Sequence, residues 1–449
     1  MFRPEVPLQP YHIYTAPPNS IDSVSQDCQR YHIAEAIRYC HRDAVEALFT
    51  DTQPVQIGPM KPRTCLVDWP EFPIVERLPP QKTEHHSLVP MLLNEGCIDG
   101  TYDVLKNIFE EQFGYKKDSD FRDLLQLIYG DQKTVALILA VMKERAEARS
   151  IYNRLGWVLP LPGLFHWRMN FLDMVFSLYS GDDHPALPST LHQNKVFLGC
   201  VQGHNSPFHH KEEVATRAFM ARVTAMFYRF KPADIDGSRT EDIDNWIRGL
   251  SRSRFHEIVD SIREKLFDAK EQCDAHKKRR KEPVDFEFSA HCKVVQQMET
   301  YLTLRLAIKF GDIGLIKRTF ARCCLLFPGT TKAKYAFLSL YMTWLTHTDA
   351  TSPELKRAIL ANGLVNLRGA EDGWFEIDRL NELFNLQMKT LMVNRRSSTQ
   401  EVHLLFRRTA LSAAYSTELK QSLESAFGEY SNNRHQNKMP VVMSAVLRM

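Results

Sequence analysis

LLQLIYGDQKTVALILAVMKE, residues 124–144, decides how this chain is built. The short apolar run Leu124 to Tyr129 abuts a glycine and predicts a strand, which ends at Asp131. The adjoining segment, QKTVALILAVMKERAEARS, is apolar on all faces at first and charged later, as in a helix that starts buried and emerges. Next comes Leu155 to Leu161, a second strand that stops where Pro162 opens PGLFH, so His166 stands just past it. The local order is strand, acid, helix, strand, histidine. Two parallel neighbours connected this way would bring Asp131 and His166 to one sheet edge, where open α/β sheets bind ligands. Each residue also has a plainer role: Asp131 as the N-cap of the helix after it, His166 as a histidine satisfied at a helix start.

Around this unit the chain changes character. Thirteen of the 23 prolines fall within the first 90 residues, where one good helical pattern appears, YHIAEAIRYCHRDAVEALF. Residues 1–95 therefore read as an irregular arm and 96–170 as the first part of an α/β core, with TYDVLKNIFEEQFG as an amphipathic helix. Nearly every segment of 171–365 has helical periodicity and reads as a helical insertion. Core helices return at 366–430 after the break NLRGAEDGW, and 431–449 is a polar tail. The expected fold is mainly α with a small α/β part.

Bulk properties bound the partners. The formal charge is +3 over 449 residues, so nucleic-acid binding needs a local patch rather than a global field. KKRRK, from Lys277 through Lys278, Arg279 and Arg280 to Lys281, is such a patch, or else a solvated helix end before Pro283. The longest apolar run, Val135 to Met142, is far short of the roughly 20 residues a membrane span needs. The proline-broken start MFRPEVPLQPYH does not read as a secretory signal. Nine cysteines without regular CxxC spacing fit a reduced compartment, so the expected location is nuclear or cytoplasmic.

The helix RLNELFNLQMK carries a polar stripe of Asp378, Glu382, Asn385 and Lys389 beside the apolar Ile377, Leu380, Phe384 and Leu391. That face can offer a carboxylate to a metal, or simply meet water. His192, His204, His209 and His210 share one polar stretch but lack zinc-site spacing, and Cys323 and Cys324 sit in an apolar helical setting that suits buried thiols. No P-loop, GxGxxG, GxSxG or HExxH motif occurs, which leaves the common forms of NTPase, dinucleotide enzyme, α/β-hydrolase and zincin without support.

Taken in order, MLLNEGCIDGTYDVL, LIYGDQKTVALI, LPLPGLFHWRMNFLDMVF, STLHQNKVFLGCVQGHNSPFHHKEEVA, GDIGLIKRTF and EIDRLNELFN resemble the fungal family catalogued as domain of unknown function 6589, over roughly residues 85 to 395. More loosely, the chain is similar to Mutator-like and hAT-type DDE transposases. In those proteins the second catalytic acid ends a strand before a helix, a CxxH-like motif comes after the next strand, and the third acid lies on a helix after an often helical insertion, in a pattern like ExxNxxxK.

The resemblance implies an RNase H-like sheet core interrupted by the helical insertion and Mg²⁺-dependent phosphoryl transfer on DNA. It carries Asp131 and Glu382 over as metal-binding acids and His166 as the residue that orients the site, with Asn385 and Lys389 completing the pattern. The first acid would be Asp68 in RTCLVDWPEF, but the proline-rich sequence after it lacks the hairpin such cores require. The resulting expectation is a degenerate, transposase-derived protein that could still bind DNA through Lys277 to Lys281. The alternatives are a noncatalytic helical scaffold or interaction protein, and DNA binding through the basic patch without chemistry.

Overall fold

A computed structural model describes residues 6–9, 12, 22–50, 66–86, 88, 91, 93–115, 118–181, 190–197, 207–267 and 286–392. It is mainly helical. The chain forms α1 (Ser23–Cys40), α2 (Arg42–Phe49) and α3 (Ile98–Lys106), which runs on into a π-helix at Asn107–Gln112. The short α4 (Asp118–Arg122) leads to β1 (Gln126–Gly130), α5 (Gln132–Glu144) and β2 (Val158–Pro162). Among the described residues nine helices come next: α6 (Leu164–Tyr179), α7 (Leu191–Phe197), α8 (Phe208–Tyr228), α9 (Thr240–Arg248), α10 (Arg252–Phe267), α11 (Phe286–Phe310), α12 (Ile313–Leu326), α13 (Ala333–His347) and α14 (Pro353–Ala361). The described chain closes with β3 (Leu364–Asn366), β4 (Trp374–Glu376) and α15 (Ile377–Met392).

Two compact units divide the chain. One comprises Met1–Tyr14, Glu76–Asn170 and Leu306–Asn432, and the other Thr15–Val75, Phe171–Arg305 and Asn433–Met449. In the first unit, β1 and β2 pair in parallel from Gln126↔Val158 to Gly130↔Pro162. The ladder explains how β2 tolerates two prolines. Gln126 N–H donates to the Trp157 carbonyl and Gly163 N–H to the Gly130 carbonyl, so Leu159 and Leu161 turn their main-chain groups toward β1. Pro160 and Pro162 turn the other way, where a missing N–H costs no ladder bond. β2 is buried throughout, and beside it Phe109 meets Trp157 edge to face at 4.3 Å, in a cluster that also holds Phe121, Ile138 and Val141. Elsewhere in this unit Trp167 packs on Phe320 at 4.9 Å.

The second strand begins at Val158 rather than Leu155, because Leu155 has a left-handed backbone (φ 54°) and ends a turn with its side chain buried. The expected helix at 101–114 changes winding at Asn107, and the break at NLRGAEDGW proves to be the loop of an antiparallel hairpin, Leu364↔Glu376 to Asn366↔Trp374. Cys323 and Cys324 are buried, and burial pushes the Cys323 thiol up to about 12.

In the second unit, α1 and α2 are two helices where the pattern around residue 40 predicts one. The break is His41, whose ring is bound to Asp244 Oδ1 at 2.7 Å and the Tyr228 hydroxyl at 2.6 Å. Ile33, Ile37, Phe49, Phe219, Phe227 and Phe255 form its core. His32 is buried there beside the Thr303 hydroxyl at 3.0 Å, and Thr303 in turn donates to Glu299 Oε1 at 3.0 Å. No helix of the described residues is long and apolar enough to cross a membrane.

Candidate functional site

The carboxyl ends of β1 and β2 meet the first two turns of α15. Leaving β1, the chain reaches Asp131 in extended geometry, and its Oδ1 accepts from Thr134 N–H at 2.7 Å. Asp131 therefore is the N-cap of α5. Its other oxygen has no hydrogen-bond partner among the described residues.

Past β2, α6 begins without a capping side chain of its own. The cap comes from α15: Asp378 Oδ1 accepts from Phe165 N–H and Oδ2 from His166 N–H, both at 3.0 Å. His166 Nδ1–H donates to the same Oδ2 at 3.0 Å. One helical turn further, Glu382 Oε1 stands 3.8 Å from His166 Nε2. The imidazole thus lies between two carboxylates four residues apart on one helix face. Gly163 makes this approach possible, since a Cβ there would overlap the Asp378 carboxylate.

Hydrogen bonding to Asp378 raises the His166 pKa above its ordinary value, against the lowering effect of burial, and the charges of Asp378, Asp131 and Glu382 add to the rise. Asp131 is therefore within electrostatic reach of the imidazole. Behind the cluster, Arg168 and Glu376 form a buried ion pair, and Arg379 Nη1 lies 3.9 Å from the second Glu376 oxygen.

The other sequence candidates are distributed differently. Asn385 lines a groove on the same unit instead of joining Asp378 and Glu382. The Lys389 side chain, His204 and the run Lys277 to Lys281 lie outside the described residues. Asp68 belongs to the other unit, has a left-handed backbone (φ 59°) and sits 3.5 Å from Arg252 Nη1. Among the described residues no three His, Cys, Asp or Glu side chains are grouped as a metal cage, and that includes His192, His209 and His210.

Asp378 is the residue that sequence reasoning undervalued. Its signal was present in the polar stripe, four residues before Glu382, but a cap supplied from more than 200 positions away has no local pattern. The chain belongs to the family of unknown function DUF6589, which it matches over residues 53–435. No curated protein and no solved structure matches it.

Proposed function

We propose that this is a transposase-derived protein with a degenerate phosphoryl-transfer centre, one that binds Mg²⁺ and DNA and turns over poorly. The observation that carries this reading is the position of Glu382, 3.8 Å from His166 at the carboxyl ends of two parallel strands, with Asp131 ending the first. Acid, helix, strand, histidine and a helix-borne acid occur in the order a DDE core uses. Both acids keep oxygens without hydrogen-bond partners among the described residues, and hard carboxylate oxygens are what Mg²⁺ takes, one or two at a time, with water and phosphate filling the other positions. Asp131 and Glu382 would hold the ion.

When bound, Mg²⁺ would neutralise charge on phosphate oxygens. The chain's own residues prepare the place. Asp378 fixes the ring and backbone of His166, and the imidazole, favoured as a cation by the acids around it, steadies the partly exposed Glu382. Two acids rather than three favour binding over turnover, because an in-line displacement needs both the attacking and the leaving oxygen held. Lys277 to Lys281 would add salt-sensitive phosphate contacts from a nuclear or cytoplasmic protein.

The test is a thermal melt of the full chain against Mg²⁺, with duplex-DNA binding and strand cleavage read in parallel. Mg²⁺ should raise the Tm of the parent protein but not of Asp131→Asn or Glu382→Gln. DNA affinity should fall with salt and with neutralisation of Lys277 to Lys281, and cleavage should be slow or absent. A parent Tm indifferent to Mg²⁺ would refute the metal site. It would favour the second reading, a noncatalytic helical scaffold, which draws its support from the capping roles of Asp131 and Asp378.

A further inference from the structure

Among the described residues the β1–β2 sheet has one closed edge and one open edge. Pro160 and Pro162 block pairing beyond β2, and the Tyr341 hydroxyl donates to the Pro160 carbonyl at 3.2 Å. On β1 the situation is reversed. Gln126 and Gly130 bond to the β2 side, so the alternation of a strand turns the main-chain groups of Leu127 and Tyr129 outward. Their N–H groups have no partner among the described residues, and only the Gln126 side-chain amide comes near the Leu127 carbonyl, at 3.5 Å. Unpaired main-chain donors beside apolar surface are costly, so an edge of this kind is a template for another strand.

That edge forms one wall of a groove of about 1250 Å³, whose other walls include Leu355, Leu364, Leu380 and Phe384. His85 stacks on Phe384 at 6.0 Å, and its Nε2 is buried without a hydrogen-bond partner among the described residues. Among the described residues the charged groups of the lining are Glu84 and Glu95, with no lysine or arginine. An occupant therefore needs three properties. It must present main-chain carbonyls and N–H groups at strand spacing, carry apolar side chains at alternate positions, and bring positive charge.

We propose that the open edge of β1 docks an extended segment of a partner protein, about five residues long at roughly 3.3 Å per residue, apolar at alternate positions and carrying a lysine or arginine. Main-chain bonds to Leu127 and Tyr129 would supply affinity, and the groove walls and acids would supply selectivity. This site does not depend on the metal reading, because it uses none of Asp131, His166, Asp378 or Glu382.

The probe is a library of random peptides displayed on phage and selected on the full chain, with affinities of the recovered peptides measured by fluorescence polarisation. Recovered sequences should alternate apolar residues around a basic one. Leu127→Pro deletes one outward N–H and leaves the Gln126, Ile128 and Gly130 bonds to β2 intact, so it should weaken binding about tenfold with a cooperative melt retained. If that variant does not fold, the peptide can be changed instead. N-methylation at one set of alternate residues should abolish binding, and at the other set should be tolerated. Glu95→Lys should weaken the basic peptides. No enrichment, or peptides indifferent to Leu127→Pro and to the position of N-methylation, would overturn the proposal, as would recovered sequences without the alternating pattern.

Discussion

Gly163 and Asp378 stand so close that the space a side chain would take at 163 is the space the carboxylate already fills. Helix α15 can therefore cap α6 only because position 163 lacks a Cβ. Gly163→Ala should displace Asp378, release Phe165 and His166 N–H together, and destabilise the protein by about 2–4 kcal/mol, the sum of a lost cap and a steric clash. Urea denaturation measures this. A change below about 0.5 kcal/mol would mean that Asp378 does not hold that position.

Asp378→Ala removes the cap and the imidazole's acceptor at once, at a cost of about 2–3 kcal/mol. The titration of His166, followed by NMR, carries the sharper prediction. Its pKa is raised chiefly by the bond to Asp378, so in the variant it should fall toward or below its ordinary value. A raised folded pKa stabilises the protein below the unfolded value and the benefit is lost as pH climbs through the folded one, so the parent should gain less over the variant in mildly alkaline solution.

Burial beside Arg305 pushes His32 the other way, from 6.5 down to about 3. The fold keeps this imidazole neutral, and its contribution is complete above the unfolded pKa and lost as acid is added. Moving from about pH 7 to about pH 5 should cost on the order of 2 kcal/mol from this residue. In His32→Gln, which retains a hydrogen-bonding group toward Thr303, that part of the acid sensitivity should vanish. An unchanged slope of stability against pH would assign the effect to other groups.

Arg168 and Glu376 pair in the interior, so breaking the pair should cost more than replacing it. Glu376→Leu or Arg168→Met alone should destabilise by about 3–5 kcal/mol, whereas the two together should cost much less or nothing. The double-mutant cycle reads the coupling directly.

Asp131 offers a separation of roles. Asparagine caps a helix about as well as aspartate, so Asp131→Asn should keep stability within about 0.5 kcal/mol while removing the charge. Asp131→Ala should cost about 1 kcal/mol. Thermal melts without metal check this pair of outcomes.

Much of the site's frame was readable from residues 124–166, because a short apolar run, a capping acid, an all-round apolar helix and a second apolar run each carry their own periodicity. The strands shifted by two or three positions, since the left-handed Leu155 is fixed by packing that no local pattern reports. The hairpin of β3 and β4 was missed because three-residue strands leave no alternation to detect. The division of α1 from α2 depends on His41 finding Asp244 and Tyr228, about 200 positions away. Asp378 looked like one more residue in a polar stripe, because sequence spacing fixes which face a side chain shares but not what lies opposite.

The π-helix at Asn107–Gln112 gives the chain a built-in phase shift. Each residue added to or removed from a regular helix turns everything beyond it by about 100°, while one fewer residue in a π turn restores ordinary winding. Phe109 faces Trp157 from within that stretch, so a single deletion between 110 and 112 should be taken up as ordinary winding with the ring still against its partner, whereas the same deletion within α3 would turn the ring away. The wide turn thus gives the core a place where a change of length need not become a change of direction.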